Sequence, residues 1–184
     1  MKLNALIIDD FLDDPDKIRN LLINNKVAFD VEGNFPGKRS TAVDNTTYQD
    51  MIVKKLERVL PFKFKIHPDS FPFQLCLSTD QTWVHLDISD WTGVLYLTPD
   101  APVESGTLLF KEDVKLLKKL RECEEKEGVG LGEVEADLTS VMGNVYNRMV
   151  LFRGVDIPHR SNVAGFGDCL ENGRLTQVFF FDEV

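Results

Sequence analysis

Cysteine, histidine and long apolar runs are all scarce in this chain, and each scarcity closes off a class of protein. Only three cysteines occur in 184 residues: Cys76, Cys123 and Cys169. An odd, widely spaced set builds neither a disulfide framework nor a paired C-x-x-C zinc site, and it fits a reducing compartment. No apolar run approaches the roughly 20 residues that span a bilayer. The opening MKLNALIIDDFLDDP passes from a short apolar patch straight into acidic residues, with no small-residue cleavage site. No signal peptide is therefore expected, and the expected location is cytoplasmic. Basic residues are the minority, with 21 Lys and Arg against 30 Asp and Glu and a formal net charge of −9. Sequence-independent binding to duplex nucleic acid depends on neutralising phosphates, so this balance disfavours it and leaves only a local basic groove open.

What is present is an ordinary globular composition, 43% hydrophobic and 28% charged, on a length that buries a core without covalent staples. One domain is expected, with a helical part over about 1–61, a β-core over about 62–184 and an insert at about 111–137. Residues 3–8 read as a short strand. Asp14 and Pro15 read as N-cap and first helical position, and Ile18, Leu21 and Leu22 continue at helical spacing, which predicts a helix over 15–25. A loop is expected at 32–40 and a second helix from about Thr47 to Leu60.

After residue 61 the period changes. FKFKI (62–66), FQLCLS (73–78), TWVHLD (82–87), GVLYLT (93–98), GTLLF (106–110), NVYNRMVLF (144–152) and RLTQVFFFD (174–182) are short apolar or aromatic runs, hence strands. The charged insert predicts a helix to about Lys126 and then a mobile connection. Its Gly128, Gly130 and Gly132 lack the preceding strand and following helix of a phosphate-binding loop. The fold class is mainly β and predominantly antiparallel, with two N-terminal helices packed on the core.

His85 and Asp87 stand two apart in TWVHLDISDW. On a strand, positions i and i+2 share a face, about 6.6 Å apart, so both can converge on one metal ion. The alternative is a core histidine beside a turn-capping aspartate. A third ligand decides between them, and His159 in VDIPHRSN is the candidate. His67, before a proline, is expected to be exposed. Two histidines and a carboxylate form the facial set of non-haem Fe(II), with open positions for small ligands. Zinc accepts the same donors, but hydrolysis then needs a separate base, and no H-E-x-x-H pattern is present. Metal affinity is expected to fall below about pH 6.5, where a free imidazole protonates.

Arg174 opens the last strand. Alternation puts Arg174, Thr176, Val178 and Phe180 on one face and Leu175, Gln177, Phe179 and Phe181 on the other. Both faces are otherwise apolar, so a guanidinium buried there needs a partner. The partner is either a protein carboxylate or the carboxylate of a ligand, with the Thr176 hydroxyl adding a hydrogen bond.

In the order His85-x-Asp87, His159, Arg174-x-Thr176, the chain resembles the Fe(II)/2-oxoglutarate-dependent oxygenases. Over roughly 72–184 it looks most like their compact prolyl-4-hydroxylase-like branch and its small bacterial and phage members. The resemblance implies a double-stranded β-helix core (a jelly roll, cupin-like). It implies Fe(II) on His85, Asp87 and His159, with 2-oxoglutarate bound by Arg174 and Thr176. The implied activity is hydroxylation with O2 and release of succinate and CO2. Many members of this branch carry lysine at the anchor position and a glycine pair where this chain reads ESGTLLF.

Tyr96 either hydrogen-bonds 2-oxoglutarate or is a core tyrosine. Trp83 is expected as a wall of the site, Arg160 and Asn147 as neighbours of substrate or co-substrate, and GNFPGKRS as a lining of the entrance. The substrate stays open among protein side chains, nucleobases and small metabolites, and the oligomeric state is not set. Two readings of other kinds stand beside this one. One is a catalytically inactive cupin-like module that binds a metal or small molecule. The other is an interaction protein that works through its acidic helix at 111–126.

Overall fold

Two antiparallel sheets face each other in the computed structural model of the chain, which describes residues 3–41, 45–127, 131 and 136–184. The larger has the order β1 (Ala5–Ile8), β8 (Met149–Phe152), β5 (Trp91–Tyr96), β10 (Arg174–Glu183), β4 (Phe73–Cys76) and β2 (Lys38–Arg39). β3 (Phe64–Ile66) pairs with the far end of β10. The smaller sheet contains β7 (Leu138–Met142), β6 (Thr107–Phe110) and β9 (His159–Ser161). This is a jelly roll, the fold class expected from the sequence.

Side-chain alternation assigns the faces. Leu175, Phe179 and Phe181 of β10 join Trp91 and Leu95 of β5 and Met149 and Leu151 of β8 in one cluster. Two helices cover it, α1 (Pro15–Asn24) with Leu22 and α2 (Thr46–Val59) with Ile52 and Leu56. Both start at side-chain caps: Asp14 accepts from the Lys17 N–H and Asn45 from the Tyr48 N–H. The other face of the same strands, with Val94, Tyr96, Val150 and Phe152, meets Leu109 and Met142 of the small sheet. That contact closes one end of the space between the sheets. A third helix, α3 (Val114–Glu127), lies outside the small sheet, where Leu116 and Leu120 pack with Val84, Leu86, Leu108 and Phe110. Ile52, Leu56 and Leu120 are all fully buried, and burial of such a side chain stabilises by about 1.5–3 kcal/mol.

Three differences from the sequence reading have physical causes. Residues 82–87 form no continuous strand; only Val84 and His85 make bridges, to Leu131 and His159. The ladder stops because β9 is three residues long and the Asp87 N–H turns to the Gly154 carbonyl, at 2.9 Å. The run 144–152 shortens to β8 because Asn147 takes φ 63°. Its side chain accepts from the Leu12 N–H at 2.8 Å and donates to the Leu12 carbonyl at 2.9 Å, so Asn147 is a structural tie. The loop at 32–40 contains β2, since Arg39 bridges Val31 and pairs with Gln74. The helix of the insert, expected to about Lys126, runs to Glu127 outside the small sheet, seated by Asp113, which accepts from the Lys115 and Leu116 N–H groups. The expected glycine connection, with Gly128, Gly130 and Gly132, lies outside the described residues. No helix among the described residues is long and apolar enough to cross a membrane.

Candidate metal centre and its cavity

His85 and His159 exchange both backbone hydrogen bonds: the His85 N–H reaches the His159 carbonyl at 3.1 Å, and the return bond is 3.0 Å. Residues opposed in this way put their side chains on one face, and the two ring centroids are 4.4 Å apart. Asp87, two residues on, joins them. Its Oδ2 lies 3.1 Å from His159 Nε2 and its Oδ1 3.8 Å from His85 Nε2. One ligand atom from each of the three lies within 4.8 Å of the others.

Backbone carbonyls orient the imidazoles. His85 Nδ1 lies 3.1 Å from the Trp83 carbonyl, and His159 Nδ1 lies 2.9 Å from that of Ile157. A carbonyl only accepts, so Nδ1 carries a proton in each ring, and Nε2 is the atom turned towards Asp87 and able to ligate a metal. Burial pushes His85 down to about 4, with His159 adding to the effect, so it is neutral at physiological pH. Burial alone would raise Asp87, but His159, then His85 and the Thr92 hydroxyl, hold it well below the usual carboxylate range. Three groups able to ligate a metal therefore face one another. A proton on His159 serves only the contact with Asp87, whereas a divalent metal ion serves all three at once. Gly154 makes room for the carboxylate. A Cβ there would overlap Thr92 Oγ1 and stand 2.9 Å from Asp87 Oδ2.

The three ligands open into a cavity of about 580 Å³, within the roughly 300–1,000 Å³ of small-molecule sites. Arg174, Thr176, Val178 and Phe180 all line it, as the alternation along β10 requires. Arg174 is buried and donates from Nε to the Ser105 carbonyl at 3.1 Å. Among the described residues it has no ion-pair partner. Thr176 Oγ1 lies 3.5 Å from the Gln74 carbonyl, the edge of hydrogen-bonding range.

Tyr96 is fully buried behind this wall. Its hydroxyl is 2.8 Å from Thr107 Oγ1, its ring lies under the Arg174 guanidinium at 5.7 Å, and it does not line the cavity. That is the position of a core tyrosine. Trp83, expected as a wall, contributes its carbonyl to His85 and does not line the cavity either. His67, expected to be exposed, is half-buried at the cavity, its backbone N–H bonded to the Phe180 carbonyl at 2.9 Å. Arg160 and the segment containing Phe35, Pro36 and Arg39 line the cavity as expected. The sequence reading missed Thr92, Gln74 and Gly154. Thr92 was within reach, because period 2 on its strand sets it on one face with Val94 and Tyr96.

Solved structures share this fold. A prolyl hydroxylase from Trichoplax adhaerens, in complex with a hypoxia inducible factor oxygen degradation domain peptide fragment, aligns at TM-score 0.59 and 12% identity over 97% of this chain and 83% of that one. HygX from Streptomyces hygroscopicus, with nickel and 2-oxoglutarate bound, aligns at TM-score 0.62 and 12% identity over 97% and 82%. A Pseudomonas putida prolyl-4-hydroxylase aligns at 0.51 and 14% over 98% and 93%. No protein-family model and no curated protein matches the chain. At these identities the likeness is one of fold, the double-stranded β-helix with flanking helices.

Proposed function

We propose that the chain is a single Fe(II)- and 2-oxoglutarate-dependent oxygenase domain that hydroxylates its substrate. One observation carries this reading: the ligand cluster of His85, Asp87 and His159 shares a cavity with a buried Arg174 that has no ion-pair partner among the described residues. The fold shared with HygX and with prolyl hydroxylases supports it.

In this reading His85, Asp87 and His159 hold the iron. Arg174 receives the far carboxylate of 2-oxoglutarate, and the Thr176 hydroxyl adds a hydrogen bond. Bound together, the metal and co-substrate supply O2 activation, with succinate and CO2 as products and oxygen delivered to a C–H bond. The chain supplies position and dryness. The Trp83 and Ile157 carbonyls fix the histidine rings, Thr92 and Gly154 fix the carboxylate, and Val94, Phe152 and Val178 make the inner wall apolar.

Purified protein loaded with Fe(II) in air should form succinate from 2-oxoglutarate. Loaded instead with Mn(II), it should bind 2-oxoglutarate at one equivalent. A wild-type protein that neither binds 2-oxoglutarate with metal nor turns it over would overturn the reading in favour of a binding module.

A further inference from the structure

We infer that Arg39 is a second anion seat in the same cavity and receives a carboxylate or phosphate group of the primary substrate; the inference rests on the co-substrate reading of Arg174. Arg39 belongs to the short strand β2, which no sequence pattern announced. It pairs with Gln74 of β4, which pairs with Thr176 of β10, so the three form a row across one face of the sheet. Two strand spacings separate the strand of Arg39 from that of Thr176, about 10 Å. The two arginines therefore serve different ends of the cavity.

The guanidinium is fixed in place before any ligand arrives. Its Cζ lies 3.9 Å from the centroid of the Phe35 ring and 5.5 Å from that of Phe180. Its Nε donates to Gln74 Oε1 at 3.0 Å, and Gln74 Nε2 is tied in turn to the Pro36 carbonyl at 2.8 Å. The other nitrogens of the fork have no hydrogen bond or ion pair among the described residues. Burial draws Arg39 down to about 10, and it stays charged at neutral pH; the largest electrostatic support for that charge comes from Asp87. Once Asp87 serves a metal, that support is spent. A half-buried, oriented cation is then left with Asp69 as the carboxylate that still supports it, an arrangement that an incoming anion improves.

Carboxylates are not in short supply, since the chain carries 30 acidic residues. Outside the cavity Arg148 pairs with Asp9, Arg153 with Asp156 and Glu183, and Lys38, the neighbour of Arg39, with Glu32. The three arginines lining the cavity, Arg39, Arg160 and Arg174, form no such pair among the described residues. A cationic substrate would face these charges and the metal together. Phe35 and Phe180 beside Arg39 fit a planar or apolar body next to the anionic group.

The test uses full-length protein loaded with Mn(II) and saturated with 2-oxoglutarate, titrated with benzoate, phenyl phosphate and the neutral benzamide. Benzoate or phenyl phosphate should bind about tenfold or more tightly than benzamide, and the tighter of the two names the anion. Arg39→Gln should lose about tenfold or more of that affinity and Arg39→Lys only part of it. In both variants the metal and 2-oxoglutarate should bind within about threefold of wild type, which also reports intact folding. Anion binding that is unchanged in Arg39→Gln, or no better than benzamide in wild type, overturns the seat. So does a parallel loss of 2-oxoglutarate, which would move Arg39 into the co-substrate site. If wild type binds no 2-oxoglutarate at all, the oxygenase reading fails. The anion titration without co-substrate then still decides whether Arg39 binds anions.

Discussion

The Thr92 hydroxyl donates to Oδ2 of Asp87, the oxygen that also faces His159 Nε2 at 3.1 Å. Thr92 thus aims a ligand without being one. Thr92→Val keeps the shape of the side chain and removes the donor. Mn(II) affinity should fall about 10- to 100-fold, the range for outer-shell partners of metal ligands. Asp87→Ala should lose the metal altogether. Equal Mn(II) affinity in Thr92→Val and wild type would show that the hydroxyl has no such role.

Gly154 offers a steric counterpart. The added methyl of Gly154→Ala would overlap Thr92 Oγ1 and press on the Asp87 carboxylate. The variant should keep the circular dichroism of the wild type and bind Mn(II) poorly. Wild-type Mn(II) affinity would mean that the carboxylate relaxes freely.

Acid should weaken the metal-free protein through His85. Burial holds this imidazole neutral down to about 4 in the folded state, against about 6.5 in the unfolded chain. Between these values the unfolded state binds more protons, so stability falls as pH drops from about 6.5 to 4, by about 1–3 kcal/mol. Urea unfolding of the metal-free protein at pH 7 and 4.5 measures this, and His85→Asn should flatten the dependence. The same depression moves proton competition for metal at His85 well below the pH 6.5 expected of a free imidazole.

Arg174→Ala should leave Mn(II) binding nearly intact and weaken 2-oxoglutarate roughly 30-fold to several thousand-fold, the effect of truncating one partner of a buried charge pair. Arg174→Lys should recover part, because it keeps the charge and loses the planar fork. Thr176→Val should cost less, about 1–3 kcal/mol. Titration of 2-oxoglutarate into the Mn(II)-loaded variants measures all three, and wild-type affinity in Arg174→Ala would remove the anchor.

Leu120 tests whether the insert belongs to the structure. It is fully buried between α3 and the outer face of the small sheet. Leu120→Ala should destabilise by about 2–5 kcal/mol in denaturant titrations. A loss below about 0.5 kcal/mol, the scale of a surface substitution, would mean that α3 packs loosely.

Much of this was legible because period and charge expose it. The alternation along residues 174–181 assigned every cavity-lining residue of β10 before any coordinates, since a strand admits only two faces. His85 and Asp87 stood out because two polar groups on one face of an apolar run have little to pair with except each other or a ligand. Arg39, Gln74 and Gly154 did not, because their roles come from contacts across strands remote in sequence, which no local spacing encodes. Tyr96 could be placed on the inner face, but whether it reached the cavity depended on Thr107 arriving from the opposite sheet.

The bridge between His85 and His159 joins two stretches of chain that otherwise share little backbone pairing, since 82–87 has no continuous ladder. An ion held by residues on both stretches acts as a cross-link between them, much as a disulfide would, in a chain with no disulfide among its described residues. Ligand present at about 100 times its dissociation constant adds about 2.7 kcal/mol to stability. The centre that would perform the chemistry would then also fasten the barrel, and chelation would loosen the fold as well as silence the site.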